Sequence, residues 1–250
     1  MVSVTKRIST VKQPRGGFIK PTDFVITKLL DIDILNENEN IHASLVGLAV
    51  DYLTRLLIGE PIEEVFKISL LGASKVNEFE LALDLMQKIH GVDENSVVNA
   101  CKLVGFDVAY RSGVQGYRAV EDINPDEATI LNVKIMVNRG LNFITLYGPI
   151  VKSGFTFEGG YTSSIKSGDG DFLTANTLWD YKVSKSEPTN KHTLQLLIYY
   201  LMGLHSIHSE FQQIKNLGMF NPRLNKVYLL PVSNISNEII NEVNSAVIGY

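Results

Sequence analysis

The hydrophobic pattern of this chain changes period once, near Gly154, and that change limits its fold more than any other feature. Before it, apolar residues recur at helical spacing: Leu45, Ala49, Tyr52, Leu53 and Leu56 point to a helix over about residues 41–58. Gly59 ends that helix, and Pro61 suits the first turn of the next. Residues 62–76, 77–90 and 94–104 read as further helices, with Gly91 and Gly105 as stops. Asn124-Pro125-Asp126 opens another, reaching about Arg139. After Gly154, residues 155–165, 171–174 and 177–183 alternate or are rich in β-branched and aromatic side chains, with glycine-rich breaks between them. A long helix over about 189–208, a strand over 226–232 and a closing helix from about Ser236 complete a β-β-β-α-β-α order. The expected architecture is a single α/β domain over residues 1–250. It has an irregular basic arm (1–25), a mainly helical part (26–150) and a part made of a sheet and helices (151–250).

Composition narrows the class. With 250 residues, 45% of them apolar, the chain can bury a sizeable core. The apolar runs are short and interrupted, so no membrane span is expected. The first 20 residues lack the apolar centre of a secretory signal. A single cysteine, Cys101, excludes an intrachain disulfide and a cysteine-rich zinc site, and fits a reducing, cytoplasmic setting. Charge is uneven: Lys6, Arg7, Lys12, Arg15 and Lys20 face no acid within the first 20 residues, although the whole chain carries −4. Such an arm can neutralise phosphates, or it can be a solvated terminus with no specific role.

The chemistry concentrates between Gly170 and Tyr199. If Ala175-Asn176 is a hairpin tip, Phe172 faces Trp179, Leu173 faces Leu178, and Asp171 faces Asp180. Directly opposed carboxylates repel, and a hard cation such as Mg²⁺ between them turns that cost into binding. Alternation along the strand puts Lys182 on the same face as Asp180. An ammonium there can orient or deprotonate a metal-bound water and offset charge on a pentavalent phosphorus. Asp169 would share that face and competes with Asp171 for the role. On the helix that follows, Gln195 and Tyr199 are four apart and share a face. A glutamine in so apolar a run needs a partner when buried. The plain alternative is an ordinary hairpin with exposed Asp and Lys, followed by a core helix.

The ordered set Asp171, Asp180-x-Lys182, Gln195-x-x-x-Tyr199 resembles the PD-(D/E)XK nuclease superfamily, and within it the RecB-like exonuclease branch. The resemblance implies a restriction-endonuclease-like fold, a mixed central sheet flanked by helices, with Mg²⁺ or Mn²⁺ dependence and cleavage of DNA. It implies Asp171 and Asp180 as metal ligands, the backbone carbonyl of Tyr181 as a third, Lys182 as the catalytic lysine, and Gln195 and Tyr199 as supports for the site and the DNA strand. That branch also carries a glycine followed four residues later by a metal-binding histidine on an early helix. Here Gly47 matches and the fourth residue on is Asp51, a competent ligand for a hard metal, with His42 as the alternative. As a surface residue Asp51 would instead pair with Arg55. The four cysteines that hold an iron–sulfur cluster in many members are missing, as are helicase motifs, so any unwinding would need a helicase or other protein subunit. The alternative function is a non-catalytic subunit of nuclease fold that binds nucleic acid or a protein partner. His205 and His208 share a helix face but lack a third ligand, and read as a solvated helix end.

Overall fold

A computed structural model describes residues 2–250 of the chain. In order, its elements are α1 (Val4–Thr10), β1 (Val25–Lys28), α2 (Ala43–Leu57), α3 (Ile62–Val65), α4 (Lys67–Lys75), α5 (Phe79–Met86), α6 (Glu94–Leu103), α7 (Asp107–Arg111) and α8 (Glu127–Tyr147). Then come β2 (Lys152–Phe155), β3 (Gly170–Leu173), β4 (Thr177–Tyr181), α9 (Asn190–Leu204), β5 (Asn216–Asn221), β6 (Lys226–Pro231) and α10 (Asn237–Glu242). The chain divides into two compact units. One joins the residues up to Leu30 to Phe143–Tyr250; the other is Asp31–Asn142. Among the described residues, no helix is long and apolar enough to cross a membrane.

The first unit is α/β. Its six-stranded mixed sheet has the order β1-β6-β5-β4-β3-β2, and helices flank it. Every neighbouring pair is antiparallel except β4 and β5. A parallel pair cannot be closed by a turn and needs a crossover, which α9 supplies. A hydrogen bond from the Thr189 N–H to the His192 ring caps the helix. Its body is nearly all buried, from Thr193 to Gly203 apart from Gln195. Leu173, Leu178, Leu217, Met219, Tyr228 and Leu230 share a core with it. The alternate strand residues Phe172, Trp179, Phe220 and Val227 form a second core on the opposite face with Phe143 and Leu29.

The second unit is helical. His42 caps α2 by accepting from the Ser44 N–H, and Asp93 caps α6 by accepting from the Ser96 N–H. The apolar face of α2 buries Val46, Ala49, Val50 and Leu53.

Several elements depart from the sequence expectations. Residues 1–25 are not wholly irregular: Ser3 caps α1 through the Lys6 N–H, and Val4 and Ile8 enter the core beside Phe18, Ile19 and Phe24. The expected helix over 62–76 breaks at Phe66 into α3 and α4, and α8 runs on past Arg139 to Tyr147. The strand expected over 155–165 stops at Phe155. Beyond it the chain turns at Gly159-Gly160, and the Tyr161 hydroxyl accepts from the Phe157 N–H. Strands β1 and β5 were not expected. The core on the Trp179 face turns on Phe143, whose ring stacks on Phe220 at 4.2 Å and meets Trp179 edge-on at 4.8 Å. Phe143→Ala is expected to cost about 3–5 kcal/mol, read as a lower urea midpoint; a change under about 1 kcal/mol would show that this face does not carry the unit's stability.

Candidate metal site on the β3–β4 face

The hairpin register is the one that opposes the two carboxylates. Phe172 pairs with Trp179 and Leu173 with Leu178, so the next pair outward is Asp171 and Asp180. There the backbone ladder gives way: the Tyr181 N–H donates to Asp171 Oδ2 at 2.6 Å. Alternation places Asp171 and Asp180 on the same face as Leu173 and Leu178, the face that α9 covers.

Asp180 is 2% exposed. Its Oδ1 lies 2.9 Å from Lys182 Nζ, while its buried Oδ2 has no hydrogen-bond partner. A buried carboxylate oxygen without a donor is costly. The Lys182 N–H donates to the Phe220 carbonyl at 2.9 Å, which extends the β4–β5 pairing and holds the lysine beside Asp180.

The helix contributes the other wall. Gln195 Nε2 donates to the Tyr199 hydroxyl at 2.9 Å, which satisfies the glutamine inside its apolar run. The Tyr199 phenol is held well above its ordinary range, first by burial and then by the negative charges of Asp180, Asp171 and Asp169. The structure therefore brings Asp171, Asp180, Lys182, Gln195 and Tyr199 into one neighbourhood, with Asp169 at its edge. It also adds a residue that the sequence reading passed over. His192 is half-buried, three residues before Gln195. Burial holds its imidazole below the ordinary value, and so does the positive charge of Lys182. Because the Nδ1 of His192 accepts the Thr189 N–H at 3.1 Å, its neutral ring carries the proton on Nε2. The spacing His192-x-x-Gln195-x-x-x-Tyr199, one helical face, was the available signal.

Asp51 belongs to the second unit and sits half-buried on α2. Arg55, its expected partner, is hydrogen-bonded to Glu60 at 2.7 Å. Burial pushes the Asp51 carboxyl up to about 6, with Glu60 and Asp107 adding to the rise and Arg55 and Arg111 opposing it. Asp107 is itself buried and accepts from the Ser69 and Tyr52 hydroxyls at 2.6 and 2.7 Å. His42 is taken up by its cap, with Nδ1 2.7 Å from Ser44 Oγ. Helix α9 ends at Leu204, so His205 and His208 do not share a face of it: exposed His205 is its C-cap and stacks on Tyr250 at 4.0 Å, and half-buried His208 has its Nε2 2.9 Å from the Thr156 carbonyl.

Among the described residues, no group of three or more His, Cys, Asp or Glu side chains is gathered to hold a metal. The donor set of the first unit is a carboxylate pair. That set fits Mg²⁺, which is commonly held by one or two carboxylates and keeps several waters, and the partnerless Oδ2 of Asp180 fits a cation. Comparison with protein-family models, curated proteins and solved structures found no match.

The Asp51 carboxyl supplies a test within the second unit. Its folded value of about 6 exceeds the ordinary 3.8, so between those values the folded chain keeps a proton that the unfolded chain has released. The group's contribution to stability is full below about pH 4 and is lost as pH rises through 6. Asp51→Asn is expected to raise the melting temperature at pH 7.5 and to leave it unchanged at pH 4. A fall at pH 7.5 would show instead that Arg55 and Arg111 depend on the charge.

Proposed function

We propose that this chain is a Mg²⁺- or Mn²⁺-dependent nuclease that hydrolyses phosphodiester bonds of DNA, on a restriction-endonuclease-like fold of the PD-(D/E)XK kind. The observation that carries the reading is the buried Asp180 carboxylate, which has one oxygen on Lys182 and the other without a hydrogen-bond donor. The mixed sheet between helices and the joining of the sequence motifs on one sheet face also support it.

Asp171 and Asp180 would hold the cation, with the carbonyl of Tyr181, the residue after Asp180, as a further donor. The cation supplies Lewis acidity toward a phosphoryl oxygen and a lowered water pKa. Asp171 is steadied by the Tyr181 N–H, which fixes one of its oxygens. Lys182 keeps its ammonium at the carboxylate pair, where it can orient the attacking water and offset charge that develops on the equatorial oxygens. Gln195 and Tyr199 act as a hydrogen-bonded pair that sets the α9 wall of the site. The neutral His192 ring has an N–H to offer a phosphate oxygen.

With Mn²⁺, the protein is expected to degrade linear DNA, and Lys182→Ala should lower the rate at least about 100-fold. Mn²⁺ should also raise the melting temperature of the wild type but not of Asp180→Asn. Wild type and Lys182→Ala equally inert on linear, circular and single-stranded DNA would sink the reading. Binding of DNA without Mn²⁺ stabilisation would point to a non-catalytic subunit of the same fold.

A further inference from the structure

The basic arm is folded onto the two elements that frame the candidate site. At its start, the Val4 N–H donates to the Ser167 carbonyl at 3.0 Å. A Cβ on Gly168 would lie 2.9 Å from the Val4 side chain and 3.5 Å from the Tyr199 ring, so α1 rests on the loop that leads into Asp169 and Asp171. At its end, the Ile19 carbonyl accepts from Thr193 Oγ1 at 2.6 Å, on the first turn of α9. Gly17, with φ at +101°, approaches that turn so closely that a Cβ there would meet Asn190 at 2.7 Å. Phe18 and Ile19 are buried beside it.

The cations between and beside these anchors are not equivalent. Arg7 is committed, with Nε and Nη2 each 2.8 Å from the Val247 and Ala246 carbonyls. Lys12, Arg15 and Lys20 are exposed. The first acid of the chain, Asp23, accepts from the Lys20 backbone N–H at 2.9 Å. Lys191, also exposed, continues the positive surface onto α9 between Asn190 and His192.

We infer that the arm is a docking track on which Lys12, Arg15 and Lys20 bind the phosphate backbone of a DNA strand beside the carboxylate site. The identity of the polyanion rests on the nuclease reading; the placement of the cations does not. A solvated tail would leave these charges at no fixed distance from the site. Here both ends of the segment are tied to it, so a strand held on the track runs past the first turn of α9 and His192.

The test is salt-dependent binding of a labelled single-stranded DNA oligonucleotide, followed by fluorescence anisotropy. The full chain carries Lys182→Ala, so that no cleavage intrudes. Adding Lys12→Gln, Arg15→Gln and Lys20→Gln together should reduce the slope of log K against log salt by about 2, since each phosphate contact contributes about 0.7 on single strands. These side chains are exposed, so the melting temperature should stay the same. Lys152→Gln, whose ammonium is already paired with Glu210 at 2.8 Å, should leave the slope as it was. Equal slopes with and without the three substitutions overturn the track, as does a parent protein that binds no DNA. Cleavage by the unsubstituted protein, measured alongside, separates the two ideas. Equal slopes with intact cleavage overturn the track alone, and arm-dependent binding without cleavage overturns the nuclease reading alone.

Discussion

Two neighbouring strands that run the same way cannot be joined by a turn; the chain must leave the sheet and come back. In this protein β4 and β5 are such a pair, and α9 makes the journey. The consequences spread from there. The helix is covered by the sheet on one side and by α1 and the segment around Val243–Ile248 elsewhere, so it is buried nearly all round, which accounts for the apolar composition of residues 193–203. The few polar groups such a helix can carry lie where it passes the ends of β3 and β4. Gln195 and Tyr199 satisfy each other at that place, and Asp171 and Asp180 face them from the sheet.

The second constraint is electrostatic. Asp180 is held out of water, and Lys182 answers only one of its oxygens. Burying an ion pair does not in itself stabilise a fold, because desolvation offsets the attraction. The raised Tyr199 phenol follows from the same field: burial and three nearby carboxylates keep its proton in place, so it serves as a neutral hydrogen-bonding group.

Much of this was legible because it is local. The 172–179 and 173–178 pairings follow from placing the hairpin tip at Ala175-Asn176, and the Gln195–Tyr199 contact follows from helical spacing. What escaped depends on distant parts of the chain. Strand β5 has Asn216, Gly218 and Asn221 in its run, which breaks both alternation and β-propensity; its place between β4 and β6 compensates. Helix α1 has seven residues and a basic composition that hid the pair Val4 and Ile8. The surroundings of Asp51 were unreadable for a similar reason, since Glu60, Asp107 and Arg111 reach it from other segments. His192 was visible in the helical spacing, but its capping bond and the charge of Lys182 were not.

The first unit is discontinuous: α1 holds Arg7 against the carbonyls of Ala246 and Val247, almost at the other end of the chain. During synthesis the opening segment must therefore wait while the whole of the second unit emerges. Residues 31–142 have all their own helices in hand before the sheet has its first hairpin. Local helical contacts form quickly, whereas pairing β1 with β6 closes a loop of about two hundred residues and comes late. Until the later strands and α9 are made, Val4, Ile8, Phe18 and Ile19 lack the core they enter in the folded unit. The strands that carry Asp171 and Asp180, and α9 beside them, also follow the second unit in chain order, so they too are made after it.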